Sequence, residues 1–430
     1  MKNSDRHLID SLRYQFRDEE MILLESQLPG HSSSGCSYLA VKPVSKIKAF
    51  GSRIELTTNG KRKVFEMNPW DALKQFREEN RGWIFGCLGY DLKNFVEELT
   101  SGNKEFVTIP DLYFMQPSIL LKIEDGKIEQ INGCCSLQGS EFGRQKRGTD
   151  FQKQDFIPSI TKQEYISKIH EIKELIKDGN FYELNFSYPL TGIFNSDPYD
   201  LYIEMRSVNP VPFGVFLQFS GISVCCSSPE RFLKKTGKKI ISEPIKGTTE
   251  RGVSADEDLL RIGELVNEKN RAENLMIVDL VRHDLSKVSE TGSVCVTKLF
   301  DVQSFGTVHQ LISTVESVIK DGTDVFDVIK SCFPMGSMTG APKIEVMKRI
   351  EELENYKRGI YSGAIGYVTP DDDFDFNVVI RTAILNDGKI IYPVGGAITS
   401  DSDPEKEWEE TIIKAKNLTE VFSPKLSFTK

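Results

Sequence analysis

An arginine, a tyrosine and two glycines near the C-terminus form the first group of residues that could bind a charged ligand. Arg381 lies within the apolar stretch 376–385, and a buried arginine needs an anionic partner. The turn after that stretch predicts a hairpin whose register brings Arg381 next to Gly395 and Gly396, with Tyr361 on the neighbouring strand. Glycine lets bare backbone approach a ligand carboxylate and donate N–H groups to it. The group predicts a carboxylate-binding site, with a structural salt bridge of Arg381 as the alternative.

Three acids and a lysine form a second group, which could hold a hard cation. Glu407, Glu410 and Lys414 are spaced by three and four residues, so they share one face of a predicted helix. Glu273 precedes an apolar run in another predicted helix, which is an unusual position for a surface acid. Glutamates from two helices could hold Mg²⁺, which takes few protein ligands and adds substrate oxygens. On spacing alone, a solvated helix face with one ion pair explains the same residues.

Glu230 and Lys246 lie around a predicted β-hairpin and could supply an acid and a nucleophile. A turn centred on Thr236 and Gly237 sets Glu230 opposite Glu243, which leaves Lys246 within ~10 Å of Glu230 along the strand. A lysine in a turn is usually just solvated. Desolvated beside other cations, however, it would lose its proton and become a nucleophile.

Boundary residues mark the elements that must position these groups. One capping box opens a helix over 161–179, and a second opens one long helical stretch over 254–285. The last helix begins near Pro404. Strands over 362–368 and 376–385 belong to an antiparallel meander. Most of the candidate residues therefore lie on helices or hairpins, which can hold a side chain in a fixed position.

Length, composition and charge limit the class of protein. The chain has 430 residues, of which 39% are hydrophobic and 27% charged, and its net charge of −9 disfavours bulk nucleic-acid binding. None of the eight cysteines forms a C-x-x-C pair, which disfavours zinc ribbons. No apolar run is long enough for a bilayer and the start is polar, so we expect a cytoplasmic protein. A polar, basic segment predicts a linker at 139–156 between an N-terminal part, 1–138, and a C-terminal part, 157–425.

Seven motifs along the C-terminal part point to a known family. Their order is SPERF, PIKGT, RAENLMIVDLVRHDL, GSMTGAPK, YSGAIGY, VVIRTAI and VGGAITSDSDPEKEWEET. Together they resemble the chorismate-utilising enzymes, which include anthranilate synthase component I, aminodeoxychorismate synthase component I, and the isochorismate and salicylate synthases. The resemblance covers about residues 160–422, and LLES at 23–26 and GCLGYDL at 86–92 extend it more loosely. It implies an α+β fold, an anthranilate synthase component I-like sandwich of antiparallel sheets with outer helices.

The resemblance also implies a role for each candidate residue. Chorismate is the implied substrate and Mg²⁺ the implied cofactor. The implied metal ligands are Glu273, Glu407 and Glu410, the implied substrate contacts are Thr339, Tyr361, Arg381, Gly395, Gly396 and Lys414, and the implied catalytic residues are Lys246, Glu230 and His309.

The residue inside the PI-x-GT motif separates two branches of the family. It is Lys in aminodeoxychorismate synthases and Ala in typical anthranilate synthases, and here it is Lys246. The resemblance therefore implies conversion of chorismate and ammonia to 4-amino-4-deoxychorismate, a step towards para-aminobenzoate and folate. A separate glutamine amidotransferase would supply the ammonia. Anthranilate synthase component I is the alternative from the same family, and a non-catalytic chorismate- or tryptophan-binding subunit is the alternative from another class.

Three residues depart from the family pattern. Glu183 stands where amine-adding members usually have Gln and water-adding members have a general-base Lys. His283 replaces the commoner Asn of an Arg-Asn-Asp sequence, and Ala397 replaces the third glycine of a Gly-rich run. Glu183 disfavours water addition, although it matches neither branch.

The implied mechanism is covalent. In this hypothesis Lys246 is neutral in a cation-rich pocket and attacks ring carbon 2 of chorismate. The double bonds shift and the 4-hydroxyl leaves, protonated by Glu230 as general acid. Ammonia then attacks carbon 4 and displaces the lysine.

Overall fold

The computed structural model describes residues 3–28, 35–133, 151, 153–305 and 308–422. The helices of these residues are α1 (Asn3–Gln15), α2 (Pro69–Glu79), α3 (Lys162–Lys177), α4 (Pro198–Val208), α5 (Ala255–Leu265), α6 (Glu268–Ser286), α7 (Val325–Cys332), α8 (Lys343–Leu353) and α9 (Pro404–Thr419). The strands are β1 (Met21–Glu25), β2 (Ser37–Phe50), β3 (Arg53–Thr58), β4 (Lys61–Glu66), β5 (Ile84–Leu88), β6 (Leu112–Glu124), β7 (Lys127–Asn132), β8 (Ile157–Pro158), β9 (Glu183–Ile193), β10 (Phe213–Phe219), β11 (Ile222–Ser228), β12 (Arg231–Thr236), β13 (Lys239–Glu243), β14 (Ile245–Glu250), β15 (Cys295–Ser304), β16 (Val308–Val318), β17 (Gly340–Ala341), β18 (Ala364–Val368), β19 (Phe374–Val378), β20 (Thr382–Asn386) and β21 (Lys389–Ile398).

The strands form antiparallel pairs, and some of these pairs join the N-terminal part of the chain to the C-terminal part. Strand β1 pairs with β2 on one side and with β10 on the other, and β5 pairs with β18. Strands before and after the predicted linker therefore share hydrogen bonds. Residues 139–150 and 152 of that linker lie outside the described residues, so the boundaries of the two parts stay predictions. The predicted α+β class with antiparallel sheets is confirmed.

Helices cover the sheet and bury aromatic side chains against it. Tyr165 of α3 and Trp408 of α9 both pack on Tyr188 of β9, and the Trp408 and Tyr188 rings stack with centroids 5.5 Å apart. Trp70 of α2 packs in another cluster with Phe326 of α7. Each fully buried large apolar side chain contributes about 1.5–3 kcal/mol to the free energy of unfolding. None of the described helices is both long and apolar enough to cross a membrane.

Two helix predictions have different outcomes. The capping box of α3 is confirmed, because the Thr161 side chain accepts a hydrogen bond from the Glu164 N–H and the Glu164 carboxylate accepts one from the Thr161 N–H. The single long helix over 254–285 is wrong. It is interrupted after Leu265, where Asn267 accepts a hydrogen bond from the Asn270 N–H and starts α6 as a new N-cap.

The β12–β13 hairpin differs in register from its prediction. Thr236 pairs with Lys239, so the turn is Gly237–Lys238, with Gly237 at a φ of +58°. A bulge lies between Arg231 and Lys234, and it places Arg231 opposite Glu243. The prediction that Glu230 faces Glu243 is therefore wrong by one residue.

The apolar stretch 376–385 is two strands rather than one. Strand β19 ends at Val378 and β20 begins at Thr382, and between them Arg381 has a φ of +51°. The predicted hairpin beyond this break is confirmed, because Ile384 pairs with Ile391. Arg381 thus lies at a bend in the chain. The side-chain alternation of β19 and β20 therefore does not determine which way Arg381 points.

A buried ion pair connects segments that are far apart in the sequence. The Arg358 and Glu354 side chains are each 1% exposed and lie 2.6 Å apart. Arg358 also donates to the Met338 carbonyl at 2.7 Å and to the Asn185 carbonyl at 2.8 Å. Glu354 accepts from the Ser187 hydroxyl at 2.7 Å. The pair therefore connects β9 to the 336–338 turn.

We expect Arg358→Met to destabilise the protein by about 3–5 kcal/mol, because the Glu354 carboxylate would stay buried without its cation. Urea unfolding followed by circular dichroism measures the change. Lys177→Ala is the control, since Lys177 pairs with Glu174 on the surface and its loss should cost less than about 1 kcal/mol. Equal losses in the two variants would contradict the role of the Arg358–Glu354 pair.

Candidate active site

The candidate nucleophile is buried and paired with an acid. The Lys246 Nζ atom, on β14, donates a hydrogen bond to Glu183 Oε1 on β9 at 2.6 Å. Lys246 is 8% exposed and Glu183 is 1% exposed. Glu183, which matches neither branch of the family pattern, is thus the hydrogen-bond partner of Lys246.

The surroundings of Lys246 are acidic, which corrects the prediction of a cation-rich pocket. Burial alone would lower the pKa of Lys246, but the carboxylates of Glu183, Glu273 and Glu230 outweigh burial and raise it above its ordinary value. The ammonium is therefore the resting form at neutral pH. The sequence motifs did not reveal which acids fold against Lys246, and its attack as a neutral amine stays a prediction.

Glu230 is buried beside this group and has a different character. It is 5% exposed and accepts a hydrogen bond from the Ser337 hydroxyl at 2.8 Å. Burial raises the pKa of Glu230 to about 7, although the Ser337 hydroxyl and the Lys246 charge act in the opposite direction. A carboxyl group with this pKa can donate a proton near neutral pH.

Arg381 has the character of an anion-binding residue. Its guanidinium makes no salt bridge or side-chain hydrogen bond within the described part of the chain, so the alternative of a structural salt bridge is not borne out there. Burial lowers the pKa of Arg381, and the nearby Tyr392 and Glu230 oppose that effect. The Tyr361 hydroxyl likewise has no hydrogen-bond partner among the described residues, and Tyr361 is 3% exposed. Both groups are available to a ligand.

The glycines of β21 face the charged side of α9. Lys414 Nζ donates to the Gly395 carbonyl at 2.8 Å and lies 2.7 Å from a Glu410 oxygen. A Cβ atom placed on Gly396 would lie 3.5 Å from Glu407 Oε2, 3.7 Å from Lys414 Nζ and 3.9 Å from Glu410 Oε1. The missing side chain at 396 leaves space beside these three charged groups. The predicted approach of Arg381 and Tyr361 to the two glycines stays a prediction.

Two of the three predicted metal ligands, Glu407 and Glu273, lie beside Lys269, and the third, Glu410, pairs with Lys414. Lys269 Nζ is 3.3 Å from Glu407 Oε1 and 3.8 Å from Glu273 Oε1. The Glu273 oxygen is buried and has no hydrogen-bond partner. Burial raises the pKa of Glu273, whereas Lys414 lowers the pKa of Glu410. No cluster of three acidic, His or Cys side chains forms a complete metal cage within the described ranges.

These acids nevertheless suit a hard cation. Glu273 and Glu407 already share the positive charge of Lys269. The Glu273 oxygen without a hydrogen-bond partner could bind a further cation. Mg²⁺ commonly uses one or two protein carboxylates and takes its other oxygens from substrate and water. A Mg²⁺ site shared by Glu273, Glu407 and Glu410 and completed by a substrate stays a prediction.

Two predicted residues form contacts elsewhere. His309 Nδ1 lies 2.8 Å from the Ser304 hydroxyl and His309 Nε2 lies 3.0 Å from Asp258. No hydrogen bond or ion pair among the described residues joins His309 to Glu230. The Thr339 hydroxyl donates to the Met335 carbonyl at 3.0 Å, so it stabilises its own turn. The roles assigned to His309 and Thr339 stay predictions.

Sequence reasoning missed three contributors to the site. Lys269 precedes Glu273 by one helical turn, so i, i+4 spacing could have revealed it. Ser337 lies inside a quoted motif, but its bond to Glu230 joins residues 107 positions apart. The Glu354–Arg358 pair begins just after α8 ends, where helical spacing is not informative.

The other two departures from the family pattern lie outside these contacts. His283 is on the surface of α6, with a side chain that is 68% exposed. Ala397 pairs with Asn185 across β21 and β9. Neither residue makes a contact with Lys246, Glu230 or Arg381 among the described hydrogen bonds and ion pairs.

Comparison with known proteins shows the family of this chain. A family model described as chorismate binding enzyme matches residues 19–420. "Probable aminodeoxychorismate synthase, chloroplastic" of Oryza sativa subsp. japonica is 43% identical over 296 residues, which are 68% of this chain and 33% of that protein. The chain therefore spans about a third of that relative's length. "Aminodeoxychorismate synthase component 1" of Escherichia coli (strain K12) is 29% identical over 92% of both chains.

A solved structure shares the fold over most of its length. Anthranilate synthase component I from Streptococcus pneumoniae TIGR4 superposes with a TM-score of 0.77 and 30% sequence identity, and the match covers 89% of this chain and 92% of that one. The family match extends over nearly the whole chain and includes every candidate site residue. This chain belongs to the family of chorismate-binding enzymes.

Proposed function

We propose that the chain is an aminodeoxychorismate synthase component I, which converts chorismate and ammonia to 4-amino-4-deoxychorismate. The observation that supports this choice is the buried Lys246, held at a position where typical anthranilate synthases have Ala. The name of the Oryza sativa relative agrees with the same branch. Neighbouring Glu230 supplies a carboxyl group that can be protonated at neutral pH.

The substrate is a dianion, and the site offers charges to match it. Arg381 and the Tyr361 hydroxyl would hold carboxylate oxygens, and the open face at Gly396 lets the ligand approach the backbone. Glu273, Glu407 and Glu410 would hold Mg²⁺. When bound, Mg²⁺ neutralises carboxylate charge and orients the substrate.

The chemistry then needs one nucleophile and one acid. Lys246 Nζ forms a bond to ring carbon 2, the double bonds shift, and the bond from carbon 4 to its hydroxyl breaks. Glu230 gives its proton to that leaving hydroxyl, which departs as water. Ammonia then attacks carbon 4, the double bonds shift back and Lys246 leaves.

The ammonia would come from a separate glutamine amidotransferase. The E. coli relative is named component 1, which fits a partner component. In this chain Cys87 and Cys332 are buried, and burial raises the pKa of each thiol to about 12, which does not suit a glutaminase nucleophile. The proposed chain uses free ammonia when the partner is absent.

Product identity tests the proposal. With chorismate, an ammonium salt and Mg²⁺, the purified chain should form 4-amino-4-deoxychorismate, identified by liquid chromatography and mass spectrometry. An added lyase should convert it to para-aminobenzoate, and a chelator of Mg²⁺ should stop turnover. Direct formation of fluorescent anthranilate would instead favour anthranilate synthase component I. Tight chorismate binding without turnover would favour a non-catalytic subunit.

Lys246→Ala should reduce 4-amino-4-deoxychorismate formation by more than about 10³-fold, because the covalent route loses its nucleophile. Initial rates measure the loss. Lys238→Ala, which removes an exposed lysine at the β12–β13 turn, is the control and should keep its rate. Full output from Lys246→Ala would exclude the covalent route but not the family.

We expect the Glu230 proton to appear in the pH profile. At constant free ammonia, kcat/KM for chorismate should fall about tenfold per pH unit above pH 7, because Glu230 must be protonated to act as acid. Ser337→Ala removes a hydroxyl that lowers the Glu230 pKa. The falling limb of the pH profile, where kcat/KM decreases above pH 7, should therefore move to higher pH. Glu230→Gln should abolish the limb and reduce the rate by about 10²–10⁴-fold. A limb that persists in Glu230→Gln would assign it to another group.

Gly396→Ala should raise the KM for chorismate by about tenfold while the protein stays folded, because the new methyl group occupies the ligand side of β21. The protein atoms nearest to that methyl group would all lie at ordinary contact distance, so the fold tolerates it. Steady-state kinetics and thermal unfolding separate the two effects. Gly263→Ala is the control, since no atom lies within 4 Å of the added methyl position. An unchanged KM in Gly396→Ala would place the substrate elsewhere.

A further inference from the structure

The Lys246–Glu183 pair leaves one polar atom without a partner. Glu183 Oε1 accepts the Lys246 hydrogen bond at 2.6 Å. Glu183 Oε2 is buried and has no hydrogen-bond partner. An ionised carboxylate has about four acceptor positions, and most of those in this buried site are unused. Glu183 is thus less saturated than a carboxylate that serves only as a structural anchor, such as Glu354, which accepts from both Ser187 and Arg358.

The proposed nucleophile cannot react in its resting form. An ammonium group has no lone pair, and the carboxylates around Lys246 stabilise that form. Among the hydrogen bonds of the described residues, the acceptor for Lys246 Nζ is Glu183. Glu230 is unsuited to take this proton, because the reaction needs Glu230 to carry a proton of its own to the leaving hydroxyl.

We propose that Glu183 is the proton acceptor that converts Lys246 from an ammonium to the attacking amine. The inference rests on the proposed function and adds a catalytic residue to it. Glu183 touches the reacting nitrogen directly, and both side chains are buried, so a proton can pass between them without solvent.

The step balances in atoms and charge. One N–H bond of Lys246 breaks as an O–H bond forms on Glu183, and the freed electron pair of Nζ forms the bond to ring carbon 2. The electrons of the ring diene shift, and the carbon 4–oxygen pair leaves with the Glu230 proton as water. When ammonia later displaces Lys246, the Glu183 proton returns to the departing amine, which restores the ammonium–carboxylate pair. The new nitrogen on carbon 4 then carries three protons and returns one of them to Glu230, which restores the acid.

The pH dependence of kcat/KM separates a proton relay from an ion pair that only holds Lys246 in place. The ammonium–carboxylate pair and the amine–carboxylic acid pair contain the same number of protons, so the relay needs no deprotonation by solvent. The wild-type kcat/KM should therefore not rise between pH 6 and 7 at constant free ammonia, and should fall only about twofold as Glu230 begins to lose its proton. If Lys246 had to lose its proton to solvent, kcat/KM would rise about tenfold per pH unit over the same range, because its pKa is raised.

Glu183→Gln removes the acceptor while keeping the shape of the side chain. We expect its kcat/KM to be about 10²-fold lower at pH 7 and to depend on hydroxide. The ratio of wild-type to Glu183→Gln kcat/KM cancels the Glu230 titration that both share, and it should fall about tenfold per pH unit as pH rises. Glu183→Asp keeps a carboxylate and should keep the shape of the wild-type pH profile at a reduced rate.

Controls separate this inference from the proposed function. Glu250→Gln removes an exposed acid from the same strand as Lys246 and should leave the profile unchanged. Circular dichroism checks that each variant is folded, and the wild-type profile tests the relay even if Glu183→Gln does not fold. A wild-type rate that rises with pH, or a rate ratio that is independent of pH, would overturn the role of Glu183. Failure of the wild type to form 4-amino-4-deoxychorismate would overturn the proposed function instead.

Discussion

A buried ammonium group requires acids around it in the candidate active site. Lys246 is almost fully buried, and an unpaired cation in that position would carry a large desolvation penalty. The Glu183 carboxylate on β9 offsets that penalty, and Glu273 on α6 adds to the negative field. One ion pair therefore links the positions of β9 and β14, and the acids that stabilise the resting site also keep the proton on the amine. Stability of the site and reactivity of Lys246 oppose each other.

Local sequence signals predicted the elements whose boundaries depend on local interactions. The Thr161 capping box and the turn before β21 need only neighbouring residues, and both are present. The break between α5 and α6 depends on whether Asn267 turns its side chain onto the backbone, which spacing does not reveal. The bend at Arg381 has no Gly or Pro to mark it. Its positive φ is held by tertiary contacts such as the bond from the Ser227 N–H to the Arg381 carbonyl.

The nearness of Glu230 to Lys246 was predictable, but the sign of the charge around Lys246 was not. The motifs drew attention to Lys246, Arg381 and Lys414, which suggested neighbouring cations. The deciding acid, Glu183, lies 63 residues before Lys246 in sequence and reaches it only through the packing of β9 against the rest of the fold. A departure from the family pattern at Glu183 was visible in the sequence, yet its partner became known only from the structure.

Two buried carboxylates near one amine have opposite tasks because their partners differ. Glu230 faces a neutral hydroxyl, and burial raises its pKa to about 7, so it can carry a proton. Glu183 faces an ammonium, so a negative charge there is compensated. A reaction that forms a carbon–nitrogen bond and breaks a carbon–oxygen bond needs both a proton acceptor and a proton donor. If the two environments were exchanged, the leaving hydroxyl would lose its acid and Lys246 would lose its base. The difference between Ser337 and Lys246 as partners therefore fixes the direction in which protons move.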